Sequence, residues 1–559
     1  MRSVASGVER AGPLSLRPTW ATLRSGGRTA SPVPLGLVMA ALLTTAVLLI
    51  PPLYLVIRAA EGWQRSWQWL LHPRTWHLLH NSLVLAGAVT VTAVALALPL
   101  AWLLARTDLR HKRLWLVLLA LPLAMPSYVG TFALQAAVQP GGVAAILLES
   151  LAGRVTLPRV EGFWGAWWVL TLFTYPYVLL PVRAAWSRFD PGLEEAARSL
   201  GVGRARRFWR VVLPQLWPSV TAGALVVAMY VLSDFGAVSL VRYDTLPLAI
   251  YAQYGGSFDR ARAAVLALLL LLITVVLHRV ERAVQRRQAV LFRAQPGVPR
   301  PPSPVRLGRW AGPATLACAL VAVAAWGLPA LSLLHWLSWG LVRGTSGVDH
   351  LRAVAQAAAS SVYVAALAAA VAVAAAFPLA YLTTRFPGRL ARAVEEAAYL
   401  SFGLPGIVVA LALVFFGVRY LGPLYQTISL LVMAHTVHFM PQALAPQSAA
   451  LARLNPHLEE VARSLGERPA GVLRRVVLPL LRPGVLAGAS LVFLTSIKEL
   501  PSTLLLSPTG FRTLAALTWM SAAEGFFARA ALPGLVLLGV SAASVAIMLR
   551  HEQERWGHR

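Results

Sequence analysis

Residues 194–220 read EEAARSLGVGRARRFWRVVLPQLWPSV, and residues 459–485 read EEVARSLGERPAGVLRRVVLPLLRPGV. Glu195, Ala196, Ala197, Gly201, Val211, Leu213 and Pro214 of the first copy return as Glu460, Val461, Ala462, Gly466, Val476, Leu478 and Pro479, each 265 positions later. One copy is compatible with chance in an Arg-rich segment, but two in register require a duplicated unit. In each copy the spacing predicts a short helix that Gly201 or Gly466 ends, then a second short helix. Pro214 and Pro218, or Pro479 and Pro483, mark the return to a longer helix. Asp190-Pro191-Gly192 precedes one copy and Asn455-Pro456 the other, giving loops at 190–218 and 455–483. A rigid helix with an acidic start and a basic finish is a shape that docks in a cleft of another protein and transmits its motion.

The chain has 559 residues, 57% hydrophobic and only 13% charged, with a mean hydropathy of +0.64. A soluble domain carries about 25% charged residues, so the composition predicts an all-α polytopic membrane protein. A spanning helix needs about 20 apolar residues, and twelve such stretches are present. They are 35–57, 81–105, 114–136, 164–186, 219–238 and 260–278, then 311–334, 360–384, 394–417, 425–448, 484–506 and 530–549. Six fall in each half.

A net charge of +28 invites a nucleic-acid reading, which the distribution of charge excludes. Arginines cluster in alternate loops: the tail (Arg2, Arg10, Arg17, Arg24, Arg28), 106–113, the first repeated loop, the centre of the chain, 385–392, the second repeated loop and 550 onward. Such alternation is the positive-inside pattern and places both termini and both repeated loops in the cytoplasm, against the lipid bilayer. The apolar core from Leu35 to Ile57 is too long for a cleaved signal and is expected to remain as the first span. The single Cys318 reads as a small buried hydrophobe.

The repeat extends further. Ser82, Pro99, Arg106 and Pro126 correspond to Ser361, Pro378, Arg385 and Pro405 at an offset of 279. The first half therefore holds extra residues, assigned to an outside loop at 137–163. Even span numbers give both halves the same orientation and a pathway between them. The expected organisation is a tail at 1–34, a first half at 35–278, a linker at 279–310, a second half at 311–550 and a tail at 551–559. The Arg- and Pro-rich linker reads as a tether without a core.

No enzyme chemistry is visible. A phosphate-binding loop needs Gly-Lys-Ser/Thr, and the only lysines, Lys112 and Lys498, follow His111 and Ile497. Neither H-E-x-x-H nor G-x-S-x-G occurs. Glu395-Glu396-Ala397-Ala398 imitates the repeated loop, but Phe402 stands where its glycine belongs.

The duplicated loop has the E-A-A, three residues, G, nine residues, I, one residue, L-P spacing of ABC importer permeases, with Val211 and Val476 for Ile and Val461 for the first Ala. Together with the six-plus-six layout, LPLAMPSYVGTFAL (121–134), SDFGAVSLVRYDTLPLAIY (233–251) and KELPSTLLLSPTGFRTLAALTW (498–519), the chain resembles fused permeases of the ferric-iron type. The resemblance implies the inner membrane of a prokaryote, two ATPase subunits carrying ATP and magnesium, an extracytoplasmic solute-binding protein and alternating access. It implies no cofactor and no tightly bound metal in this chain. It also implies ATPase coupling through Glu194, Glu195, Ala196, Ala197, Gly201, Leu213 and Pro214, and through Glu459, Glu460, Ala462, Gly466, Leu478 and Pro479. Fused permeases for thiamine, phosphonates and other small solutes look similar. A gradient-driven secondary transporter, active alone, is the alternative of another class, and the repeated loops argue against it.

Ionisable groups within spans mark pathways or partners. Asp234 and Glu499 share a repeat position, about 15 residues into the helix after each loop, or about 22 Å from its cytoplasmic end. Oxygen ligands suit a hard ferric ion; local capping or pairing is the competing reading. His435 and His438, three apart on one face, read as interhelical hydrogen-bonding groups before metal ligands, since imidazole is softer than ferric ion prefers. Tyr128, just after the kinks at Pro122 and Pro126, completes the pathway candidates.

Overall fold

The computed structural model describes residues 35–153, 157–187, 191–253, 260–293, 304–344, 347–401 and 404–557. The tail 1–34, Asp190, the linker centre 294–303, Phe402 and the final two residues lie outside the described residues. The first half runs α1 (Leu35–Glu61), α2 (Trp63–Leu71), α3 (Pro73–Arg106), α4 (Lys112–Ala120), α5 (Ser127–Val138), α6 (Val143–Ala152) and α7 (Gly162–Thr174). It continues with α8 (Pro176–Ser187), α9 (Pro191–Ser199), α10 (Arg204–Arg207), α11 (Leu213–Ser233), α12 (Gly236–Leu240), α13 (Leu246–Ala252) and α14 (Arg260–Arg293). The second half runs α15 (Ala311–Ala322), α16 (Leu328–Val342), α17 (Val348–Arg385), α18 (Arg389–Leu400), α19 (Gly406–Tyr420) and α20 (Ile428–Arg453). It ends with α21 (His457–Ser464), α22 (Pro469–Val472), α23 (Leu478–Ser496), α24 (Pro501–Leu506), α25 (Leu514–Ala523) and α26 (Phe527–Gly557).

Among the described residues ten segments are long and apolar enough to cross a membrane, and the remaining expected stretches, 394–417 and 530–549, overlap the shorter apolar helices Gly406–Tyr420 and Phe527–Ala542. The fold is all-α, two tandem six-helix halves, because backbone groups in lipid must be satisfied within the segment. Several expected spans are broken. Pro122 and Pro126 end α4, leave a tight turn at Leu121–Ala124 and start α5. The stretches 219–238 and 484–506 stop at Ser233 and Ser496, and a short helix follows each.

Two connections differ from the sequence reading. The outside loop at 137–163 contains α6, whose apolar sequence VAAILLESLA runs between Gly142 and Gly153. That insert meets the second half, where the Trp336 indole donates to the Ala136 carbonyl and His335 Nε2 lies 2.8 Å from the Gly141 carbonyl. The linker is not a bare tether at its ends: α14 continues to Arg293, and residues 304–307 lie against the end of α3.

The halves interlock. Helix α1 packs on α17, α18 and α19, while α15 and α16 pack on α4 and α5. Cys318, on α15, is buried and carries no disulfide. Helices in lipid gain little from apolar contact alone, so close approach at small residues matters. Gly223 on α11 and Gly488 on α23 are repeat equivalents. A β-carbon at Gly223 would lie 2.8 Å from Val178 Cα on α8, and one at Gly488 would lie 3.0 Å from the Ala443 carbonyl on α20. Gly223→Leu and Gly488→Leu are each predicted to lower stability by about 1–3 kcal/mol, measured as thermal unfolding in detergent. Gly87→Leu, where nothing lies within 4 Å, is expected to be silent.

Candidate functional site

The repeated loops have one backbone design. Helix α9 ends at Gly201 with φ 77°, and α21 ends at Gly466 with φ 86°. The Gly201 and Val202 amides donate to the Arg198 and Ala197 carbonyls, and the Gly466 and Glu467 amides donate to Arg463 and Ala462. This closure needs a left-handed residue, which glycine supplies without a side-chain clash. A further short helix and one wider turn follow, Phe208–Val212 in one copy and Leu473–Val477 in the other. Helices α11 and α23 continue directly from these turns at Leu213 and Leu478, with Pro214 and Pro479 as second residues; the wider turn is where the helix accommodates a proline that has no amide to donate.

Helices α9 and α21 each have two faces. Glu194 and Ala197, or Glu459 and Ala462, are three apart and turn toward the bundle. The Glu194 carboxylate accepts from Arg106 Nη2 at 2.6 Å and lies 3.4 Å from Arg207 Nε. Glu459 accepts from Arg385 Nε at 2.8 Å and from the Tyr381 hydroxyl at 2.6 Å, with Arg463 at 3.6 Å. Arg385 also donates to the Leu454 carbonyl. Arg106 and Arg385 are the last residues of α3 and α17, so the pairs tie α9 and α21 to the ends of those two long helices. Such charge-assisted bonds are short and directional. The opposite face carries exposed Glu195, Ala196 and Leu200 in the first copy, and Glu460, Val461 and Leu465 in the second, with Leu200 82% and Leu465 80% exposed. At the start of α4, burial lowers the Lys112 ammonium below its ordinary value; Asp108 opposes the shift and Arg183 adds to it.

The second constellation lies where α11 and α23 stop. Asp234 caps α12, its Oδ1 accepting from the Ala237 amide at 2.8 Å, and it also bonds Ser127. Glu499 takes the same role for α24, accepting from the Ser502 amide and hydroxyl. Both acids therefore sit at helix breaks instead of mid-helix, and local capping accounts for one oxygen of each. A β-carbon on Gly406 would lie 2.6 Å from Glu499 Oε1 and 3.6 Å from His438 Nε2, which brings these two side chains together. His435 Nδ1 lies 3.1 Å from the Ser496 hydroxyl, an interhelical contact between α20 and α23, while its Nε2 has no partner. Tyr128 is buried and its hydroxyl reaches the Lys498 carbonyl at 3.4 Å, crossing from one half to the other. Among the described residues no three His, Cys, Asp or Glu side chains gather around a metal-sized space.

The supporting roles of several residues escaped the sequence reading. Ser82 accepts from the Leu246 amide and Ser361 from the Leu514 amide, at 2.9 and 2.8 Å, fixing α13 and α25 to the long helices of their own halves. Trp519 donates to the Ser239 hydroxyl and packs on Phe235 and Tyr251, joining the halves beside the breaks. Arg106 and Arg385 were visible as repeat landmarks, yet they read only as topogenic charge. Their shared offset was the signal for a paired role.

Two pseudo-equivalent membrane halves, each with a glycine-ended repeated loop, define a bundle built as a transport permease. The chain belongs to the family described as "Binding-protein-dependent transport system inner membrane component", which matches residues 97–290 and 372–555; it is a multi-pass permease of the ABC importer class. It is 32% identical over 521 residues to the Fe(3+)-transport system permease protein FbpB 2 of Haemophilus influenzae, covering 93% of this chain and 98% of that protein. The molybdenum transport system permease protein ModB of Mycobacterium tuberculosis is 31% identical over 38% of this chain and 82% of its own length. The sulfate transport system permease protein CysT of Escherichia coli is 27% identical over 41% and 84%.

The two ion pairs differ in burial: the Glu459 side chain is 4% exposed and that of Glu194 is 25% exposed. Glu459→Ala strands Arg385, 11% exposed, and Glu194→Ala strands Arg106, 10% exposed; each is predicted to cost about 3 kcal/mol, with the smaller loss at Glu194, whose carboxylate is already partly solvated. Thermal unfolding followed by tryptophan fluorescence measures both losses.

Proposed function

We propose that this chain forms the solute pathway of an importer for ferric iron and couples it to two separate ATPase subunits, one per docking loop. The observation that carries the solute assignment is the near full-length similarity to a permease whose name specifies Fe(3+). The molybdenum and sulfate permeases match only part of the chain, so an oxyanion is the second reading. Coupling is supported by the exposed faces around Glu195 and Glu460, two apolar and acidic surfaces on rigid helices. In this reading 35–278 and 311–550 are the permease halves, and both termini and both loops are cytoplasmic. A solute-binding protein delivers the ion on the far side, and ATP and magnesium reside on the partner subunits.

The pathway runs between the halves beside the paired helix breaks. Asp234 and Glu499 cap α12 and α24 and also place negative charge where a hard cation would pass. His435, His438 and Tyr128 line or brace the same region. A secondary transporter would need no partner, and this chain should carry no uptake without ATPase subunits.

Reconstitution in vesicles with the ATPase and binding protein tests the assignment. ATP-dependent accumulation of labelled ferric ion, with none of molybdate or sulfate, is expected; oxyanion uptake would replace the iron reading. Gly201→Val with Gly466→Val should abolish solute-stimulated ATP hydrolysis while the protein still inserts. Asp234→Asn with Glu499→Gln keeps the capping oxygens and removes the charge. Uptake should fall at least tenfold with basal hydrolysis retained, and a drop in thermal stability with unchanged uptake per molecule would assign the acids a structural role only.

A further inference from the structure

The linker end has a place in this machinery. Thr107 and Val305 form the single isolated bridge among the described residues. The Val305 amide donates to the Arg106 carbonyl at 2.7 Å, the Asp108 amide donates to the Val305 carbonyl at 3.1 Å, and the Leu307 amide donates to Asp108 Oδ1 at 2.9 Å. Thr107 is fully buried and Leu307 is buried in the core. The residue whose carbonyl receives the linker, Arg106, is the same residue whose guanidinium holds Glu194 of the first docking helix. One residue therefore joins the linker, the end of α3 and the docking helix.

The sequence marks this segment as part of the repeated unit. Ser303-Pro304-Val305-Arg306-Leu307-Gly308 precedes the first span of the second half, and Ser31-Pro32-Val33-Pro34-Leu35-Gly36 precedes that of the first. An arbitrary connector has no reason to preserve Ser-Pro-Val-x-Leu-Gly ahead of both halves. Pro304 restricts the chain to an extended conformation on entry, which suits addition of a short strand to an exposed backbone edge.

We propose that residues 304–307 are a positioning strap for the first docking loop. By fixing the backbone of 106–108, the strap fixes the aim of the Arg106 side chain, and through it the start of α9. Val305, Leu307 and Asp108 are positioning residues in this sense: none lies on the exposed docking face, and each acts through Arg106. The second half begins with the same sequence device, but its docking helix is held by Tyr381, Arg385 and Arg463 around Glu459, whose carboxylate is more buried than that of Glu194. The first loop, with the more exposed pair, is the one that the linker steadies. The consequence for transport rests on the coupling function proposed above; the strap itself does not.

Hydrogen exchange of the full chain in lipid nanodiscs tests the strap without any ATPase, so its failure is separable from failure of the coupling reading. Asp108→Ala removes the acceptor for the Leu307 amide, and Val305→Pro removes the amide that donates to Arg106. Loss of one such bond should speed exchange of amides in 191–201 by about fivefold, with 457–466 unchanged. Asp108→Asn retains the side-chain oxygen and should restore the slow rate, which separates lost bonding from lost charge. Faster exchange confined to 304–310, or an equal rise in both loops, would overturn the proposal. Should Val305→Pro fold poorly, Asp108→Ala and its Asn rescue decide the matter alone. In the assembled transporter the Ala variant should lower solute-stimulated hydrolysis while the KM for ATP stays unchanged.

Discussion

A carboxylate turned back on its own bundle fixes the working end of this molecule. Glu194 on Arg106 and Glu459 on Arg385 are the contacts that convert two surface loops into rigid extensions of α3 and α17. Without them each docking helix would hang on a glycine at one end and a proline-rich connection at the other. Ion pairs on a fully solvated surface contribute little. These are largely withdrawn from water, and their geometry is supported by Tyr381 in one copy and by the linker in the other.

Rigidity at the loops is matched by interruption inside the membrane. Helices α11 and α23 carry the loops directly and stop at Ser233 and Ser496. Asp234 and Glu499 accept from first-turn amides of the short helices that resume after the breaks. Tyr128 and Trp519 cross between the halves with hydrogen bonds to Lys498 and Ser239.

The architecture was largely legible from residues. Twelve apolar stretches, a duplicated loop and alternating arginines specify an all-α membrane protein of two halves, because lipid permits few alternatives. Helix breaks at Pro122 and Pro126 followed from chemistry the sequence displays, and so did the glycine closures. The division of the loop into an inward and an outward face was less accessible. Glu194 and Glu195 are identical side chains one position apart, and only the tertiary position of Arg106 decides which is buried. The strap was missed for a related reason: a Pro- and Arg-rich linker has the composition of a tether, while two backbone bonds and one buried leucine determine its behaviour. Asp234 and Glu499 were found by charge in an apolar setting, yet their capping role depends on where α11 and α23 unwind.

The central claim is that the chain presents two equivalent docking faces to a pair of ATPase subunits while the inward carboxylates keep their grip on the bundle. An experimental structure of the assembled transporter tests this most directly. It should show two ATPase subunits, with Glu195, Leu200, Glu460 and Leu465 buried against them and Glu194 and Glu459 still paired with Arg106 and Arg385. A single ATPase, or an ATPase engaging Glu194 and Glu459 in place of the outer face, would contradict it.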